Sequence, residues 1–242
     1  MKISASKKNF AIALLLVVTL MSLVTMFWDM FTEPGPPEIV VKQEKAIAAV
    51  MATEAGRLIG NQGQVVLITT DSPTAQGQVD NFKAAFEKDG GMKISAVEKI
   101  EMKKMGPPLS PGTIPSASFL QAMEKYPDAR AVVSLLGLPE LTPEDVAKLP
   151  SKMPKFLALS QTGSGVRDML GRKILQSVIV QRQPSPGPGP KKVATPYPAA
   201  QLSVLKQIPS WEIFDQRYQI LTPDSDLSSF HEMPSPRRPP GR

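Results

Sequence analysis

The stretch "QVVLITTDSPTAQGQVDNFKAAF", residues 64–86, sets the fold of this chain. "VVLITT" (65–70) is a continuous apolar, β-branched run of the kind found in a strand covered on both faces. From Thr74 a different period takes over. Ala75, Val79, Phe82 and Phe86 fall at i, i+4, i+7 and i+11, the core-facing stripe of an amphipathic helix over 74–88. Between them "TDSP" forms an abrupt turn, and Asp71 or Ser72 is placed to cap the helix with Pro73 at its first position.

The same alternation continues downstream. Strands are expected at "MKISAVEKIEM" (92–102), "ARAVVSLL" (129–136), "KFLALS" (155–160) and "ILQSVIVQR" (174–182). Helices are expected at "ASFLQAMEKY" (117–126), "TPEDVAKL" (142–149, Thr142 as N-cap) and "GVRDMLGRK" (165–173). Upstream, 38–60 has a helical stripe of Ile39, Ala46, Val50, Ala55 and Leu58, stopped by Gly60. Strands apolar on both faces, alternating with helices, imply an α/β fold: a doubly wound, mostly parallel, Rossmann-like sheet of about five strands. "WEIFDQRYQILT" (211–222) reads as a final strand or extended segment.

In front of this domain, Phe10 to Trp28 is an uncharged apolar run of 19 residues. As a helix it would reach roughly 28 Å, close to the thickness of a bilayer core. No Ala-x-Ala follows it, and Phe27, Trp28 and Phe31 stand where an interfacial aromatic belt would lie. The run therefore reads as an uncleaved single-pass transmembrane anchor, with a cleaved signal as the alternative; either way the rest of the chain is exported. Lys2, Lys7 and Lys8 put its N-terminus on the cytoplasmic side and the rest of the chain outside, in the periplasm or at the cell surface. The expected division is anchor 1–31, Pro-rich spacer 32–37, α/β lobe 38–182, Pro/Gly-rich insertion 183–199, closing segment 200–225 and unstructured tail 226–242.

Composition removes several function classes. The net charge of +6 looks like a nucleic-acid signal, but the three N-terminal lysines and the C-terminal arginines carry nearly all of it. Residues 10–231 hold only +1, so there is no basic face for nucleic acid. The absence of cysteine excludes disulfides, thiolate metal sites and Cys nucleophiles. The single histidine, His231, stands in the tail with Ser228, Ser229 and Glu232, where no fold would hold a triad. There is no Gly-x-Gly-x-x-Gly and no Gly-Lys-Ser/Thr after a strand, and no cluster of metal ligands, so neither cofactor nor metal is expected. "TGSG" (162–165) could seat an anion on helix amides, or be plain turn chemistry.

The order and content of these elements resemble the C-terminal lobe of type I periplasmic binding proteins, the ribose- and galactose-type solute-binding family. The resemblance covers about 45–182 and 211–225. It is carried by "NFKAAFEK" after the first strand, "YPDARAVVSLLG", "KILQSVIVQR" and "YQILTPDS". It implies a non-enzymatic lobe that closes on a solute with a second lobe, for which residues 29–63 leave no room. It also implies ligand groups that are replaced here. Gln78 stands for the gripping arginine, Asn81 for a glycine, Gly137-Leu138 for Asn-Asp, and Ser160-Gln161 for an aspartate-bearing turn.

In open α/β sheets, ligands lie beyond the carboxyl ends of the strands. The candidate crevice residues from this rule are therefore Asp71, Ser72, Thr74, Gly137 and Gln161, and the resemblance adds Gln78. Two functions follow from this reading. The first is a membrane-anchored extracytoplasmic domain for protein interaction, its Pro-rich segments offering extended docking strips. The second is a diverged solute-binding component of a transport or sensing system.

Overall fold

In this computed structural model the described residues are 17–24, 37–88, 92–100, 113–182, 205–208, 211–227 and 230. The chain separates into two units, Met1–Val40 and Val41–Arg242. In the first, residues 17–24 are helical, and Val17, Val18, Leu20, Met21, Leu23 and Val24 are all exposed. Among the described residues no helix is long and apolar enough to cross a membrane. The expected span Phe10–Trp28 lies mostly outside them.

The second unit is built on the strand read first. Helix α1 (Glu38–Ile59) leads to β1 (Gly63–Thr70), α2 (Pro73–Phe86) and β2 (Met92–Ile100). Then come β3 (Thr113–Ile114), α3 (Ser116–Lys125), β4 (Ala131–Ser134), β5 (Leu138–Pro139) and α4 (Pro143–Ala147). The chain continues through β6 (Lys155–Ser160), α5 (Val166–Gly171), β7 (Ser177–Gln181), α6 (Trp211–Arg217) and β8 (Tyr218–Leu221). The main sheet runs β2-β1-β4-β6-β7-β8, and β3 pairs with β5 separately. Its first five strands are parallel; β8 is antiparallel to β7.

Strand order and helix placement share one cause. From β1 the chain moves outward to β2, then returns past β1 to β4 and on to β7. Right-handed crossovers in opposite directions place their helices on opposite faces of the sheet. Val65 and Leu67 pack with α1, α2 and α6, including Phe82, Phe86, Trp211 and Phe214. The alternate residues Val66 and Ile68 pack with α3 and α5, including Phe119, Met123, Val166 and Leu170. Each face has an aromatic pair: Phe82 stacks on Phe86 at 5.2 Å, and Phe119 meets Phe156 at 4.9 Å.

Local signals explain the element ends. Gly60 (φ 71) ends α1, with Asn61 N–H donating to Gly56 O at 2.8 Å and Gly60 N–H to Arg57 O. Thr142 caps α4 in a capping box with Asp145. Four expectations need correction. The sheet has six strands, because Tyr218–Leu221 adds an antiparallel edge. Residues 211–217 are helical: Trp211 and Phe214, one turn apart, stack at 5.3 Å, and Phe214 stacks at 5.6 Å on Tyr218, the first residue of β8. The last parallel strand starts at Ser177 rather than residue 174, because Lys173 adopts φ 58 and the Gln176 amide donates to Lys173 O. Ile39, expected on the buried stripe of α1, is 50% exposed.

Candidate functional site

The strand order reverses between β1 and β4, which makes their carboxyl ends the switch point of the sheet. Ile68 pairs with Ser134, and Ser134 with Ala158, so β1, β4 and β6 open their loops side by side. The turn 71–72, the loop after Ser134 and the turn after Ser160 are therefore neighbours along one edge. The short β3–β5 pair lies next in sequence to Gly137 and ties residues 113–114 to 138–139. Residues 101–112, which follow β2, lie outside the described residues.

Each strand here ends in a hydroxyl that folds back on its own loop. Ser134 is fully buried, and its Oγ accepts from Leu136 N–H at 3.2 Å and Gly137 N–H at 3.1 Å. Ser160 repeats the arrangement, accepting from Gly163 N–H at 3.1 Å. In both cases the glycine three residues on has positive φ, 141 at Gly137 and 68 at Gly163, which a side chain would resist. At β1, Thr70 Oγ1 donates to Ser72 Oγ (3.1 Å), and Ser72 Oγ accepts from Ala75 N–H (3.2 Å). Ser72 is thus the N-cap of α2, which decides between the two capping candidates.

The expected site residues divide into two groups. Ser72 is committed to its cap, and Gly137 is buried in its turn. Asp71, Thr74 and Gln161 are exposed, and Gln78 is half-buried on α2. Among the described residues, none of these four side chains is tied up in a hydrogen bond or ion pair. Together they offer one carboxylate, one hydroxyl and two amides.

Sequence reasoning missed two components. The Ser-x-x-Gly repeat, "SLLG" (134–137) and "SQTG" (160–163), was a readable signal for the strand-end turns. The second is Phe230, which is 6% exposed and stands over Gly163; a Cβ there would come within 2.8 Å of its Cζ. Arg167 Nη2 donates to the carbonyls of Leu227 (2.6 Å) and Phe230, holding this segment against α5. The tail expected from residue 226 is thus packed at Phe230. Residues 231–242, with His231, lie outside the described set.

Among the described residues, two carboxyls have shifted acidities. Lys125 Nζ donates to Glu98 Oε2 at 2.8 Å, and Tyr126 OH donates to the same oxygen at 2.9 Å; the Lys125 bond chiefly, opposed by burial and aided by the Tyr126 bond, holds the Glu98 carboxyl below its ordinary value. Asp145 is likewise held low, chiefly by the backbone N–H of Thr142. Among the described residues, no group of His, Cys, Asp and Glu could hold a metal ion.

No family model and no curated protein matches this chain. Among solved structures it is similar to AraP, an arabinose binding protein from Geobacillus stearothermophilus, at 20% identity and a TM-score of 0.43, covering 57% of this chain and 45% of that one. It is also similar to an ABC transporter solute binding protein from Burkholderia graminis C4D1M in complex with D-arabinose (18% identity, TM-score 0.46, 78% of this chain and 62% of that one). A third is an ABC transporter periplasmic solute binding protein from Actinobacillus succinogenes 130z with bound D-allose (13% identity, TM-score 0.43, 75% and 59%). The chain spans between 45% and 62% of the length of these three.

Proposed function

We propose that the lobe is a non-enzymatic, diverged solute-binding module that takes a small polyhydroxy solute at the carboxyl-end crevice. The observation that carries this reading is the set of uncommitted groups at the switch point: the Asp71 carboxylate, the Thr74 hydroxyl and the Gln161 amide, with Gln78 four residues after Thr74 on α2. A carboxylate accepting from adjacent hydroxyls, with amides that both donate and accept, is the chemistry that recognises sugars. Gln78 in place of an arginine favours a neutral solute over a carboxylate-bearing one. A single lobe buries only one side of such a ligand, so a second lobe, from a partner or another copy, would complete the site. The test is calorimetric titration of the full chain with D-arabinose, D-allose and L-rhamnose, repeated with Asp71→Asn. Saturable binding weakened by the substitution supports the reading; no heat with any of them up to about 10 mM, beyond the weakest affinities of such sites, refutes it.

A second reading is favoured by a different observation. The helical residues 17–24 expose apolar side chains on all sides, with Leu20 at 66% and Met21 at 69%, as a helix inside a bilayer would. On this reading an anchor over 1–31 and the Pro-rich spacer 32–37 hold the lobe outside the cytoplasm, next to a membrane protein partner. Affinity capture from solubilised membranes tests it. Recovery of the protein in the soluble fraction after lysis, without detergent, would count against the anchor.

A further inference from the structure

At the opposite end of the sheet, where β4 and β6 begin, lies a hollow of about 490 Å³, within the range of small-molecule sites. Leu58, Ile59 and Met153 give it an apolar floor, and Arg130, Lys152, Lys155 and Asp128 bring charge to it. Three cations against one carboxylate leave a local excess of two positive charges. Among the described residues, none of the three cationic heads is spent on an ion pair or side-chain hydrogen bond.

Arg130 is the best-positioned of them. Its N–H donates to Gln64 O at 3.0 Å, and its carbonyl accepts from Lys155 N–H at 2.9 Å, so its backbone is fixed between two strands. Its stem lies across Gly63, where a Cβ would come within 2.7 Å of Arg130 Cδ and 3.3 Å of Nε. Gly63, at φ 122, thus leaves a slot that only a residue without a side chain provides. The end of α1 also faces this region, but its Gly56 and Arg57 carbonyls are bonded within the turn that ends the helix. The neighbouring Arg57 is held by Glu54 at 3.0 Å, which leaves Arg130 and the two lysines as the free cations.

We propose that this hollow binds a small organic anion: a carboxylate or phosphate head held by Arg130, Lys152 and Lys155, with an apolar body resting on Leu58, Ile59 and Met153. Arg130 supplies a planar fork for two oxygens, and the lysines supply point charges. The site does not depend on the carboxyl-end crevice.

The probe is phenyl phosphate, titrated calorimetrically into the full chain in neutral detergent at about 20 mM salt, where screening is weak. Saturable binding is expected, with inorganic phosphate about tenfold weaker or more because it leaves the apolar floor uncovered. Arg130→Gln is expected to weaken phenyl phosphate by about tenfold, and phenol, which lacks the charge, should not bind. The melting temperature of Arg130→Gln should match that of the parent, so a binding loss would not report unfolding. Dihexanoyl phosphatidic acid, competing with phenyl phosphate in the parent but not in the variant, would identify a lipid headgroup as the source; failure to compete would point to a soluble anion. Absence of saturable phenyl phosphate binding, or equal binding by Arg130→Gln, overturns the proposal.

Discussion

Ser134→Ala is the substitution that separates a structural hydroxyl from a ligand-facing one at the switch point. Ser134 Oγ accepts two backbone N–H groups, from the buried Gly137 and the half-buried Leu136. Removing the acceptor leaves both donors without it. A buried unpaired donor costs about 1–3 kcal/mol, and a group that reaches water costs much less. Gly137 therefore contributes most of the loss and Leu136 a fraction, for a total of about 2 kcal/mol. For a lobe of this size that corresponds to roughly 4–8 °C in melting temperature. The assay is urea unfolding followed by circular dichroism, comparing midpoints at unchanged slope. A loss below about 0.5 kcal/mol, within the range of ordinary surface substitutions, would show that the hydroxyl does not hold the turn. The reading of the strand ends as self-closing would then fail.

Other outcomes follow from the same structure. Ser72→Ala removes the N-cap of α2 and is expected to cost about 1 kcal/mol; an unchanged urea midpoint would refute the cap. Phe119→Ala opens the core on the α3 face against Phe156 and should cost about 3–5 kcal/mol, read by the same unfolding curve. Glu98 should titrate below the ordinary glutamate value in carbon-detected NMR, and Lys125→Met should raise its midpoint. Because its folded value is lowered, Glu98 stabilises the lobe above the ordinary carboxyl range, and this contribution fades as pH falls through the lowered value. An unmoved midpoint in Lys125→Met would show that Lys125 does not set it.

Much of the sheet was legible because its central strands are apolar on both faces. "VVLITT" is buried from Val65 to Thr70, and "KFLALS" coincides with β6. The α2 stripe holds at all four positions, since a 3.6-residue period has no other use for Ala75, Val79, Phe82 and Phe86. Residues 211–217 misled because Trp, Ile and Phe favour strands locally, while Trp211 and Phe214, at i and i+3, are buried together on one helical face. The β3–β5 pair has two residues in each strand, one of them Pro139, too short for any period to register. At the candidate site, Asp71, Thr74 and Gln161 were proposed from the strand ends, and Gln78 from the resemblance. The fold-back of Ser134 and Ser160 needed the glycine geometry three residues later. Phe230 lies 67 residues from Gly163 on the other side of a Pro-rich stretch, a contact that only the tertiary fold creates.

Amide chemical-shift mapping of the full chain titrated with D-arabinose tests the crevice most directly. The expected result is saturable movement confined to residues 71–78, 135–138 and 161–165, diminished in Asp71→Asn. No movement at saturating sugar, or movement centred away from these loops, would contradict a solute site at the carboxyl ends of β1, β4 and β6.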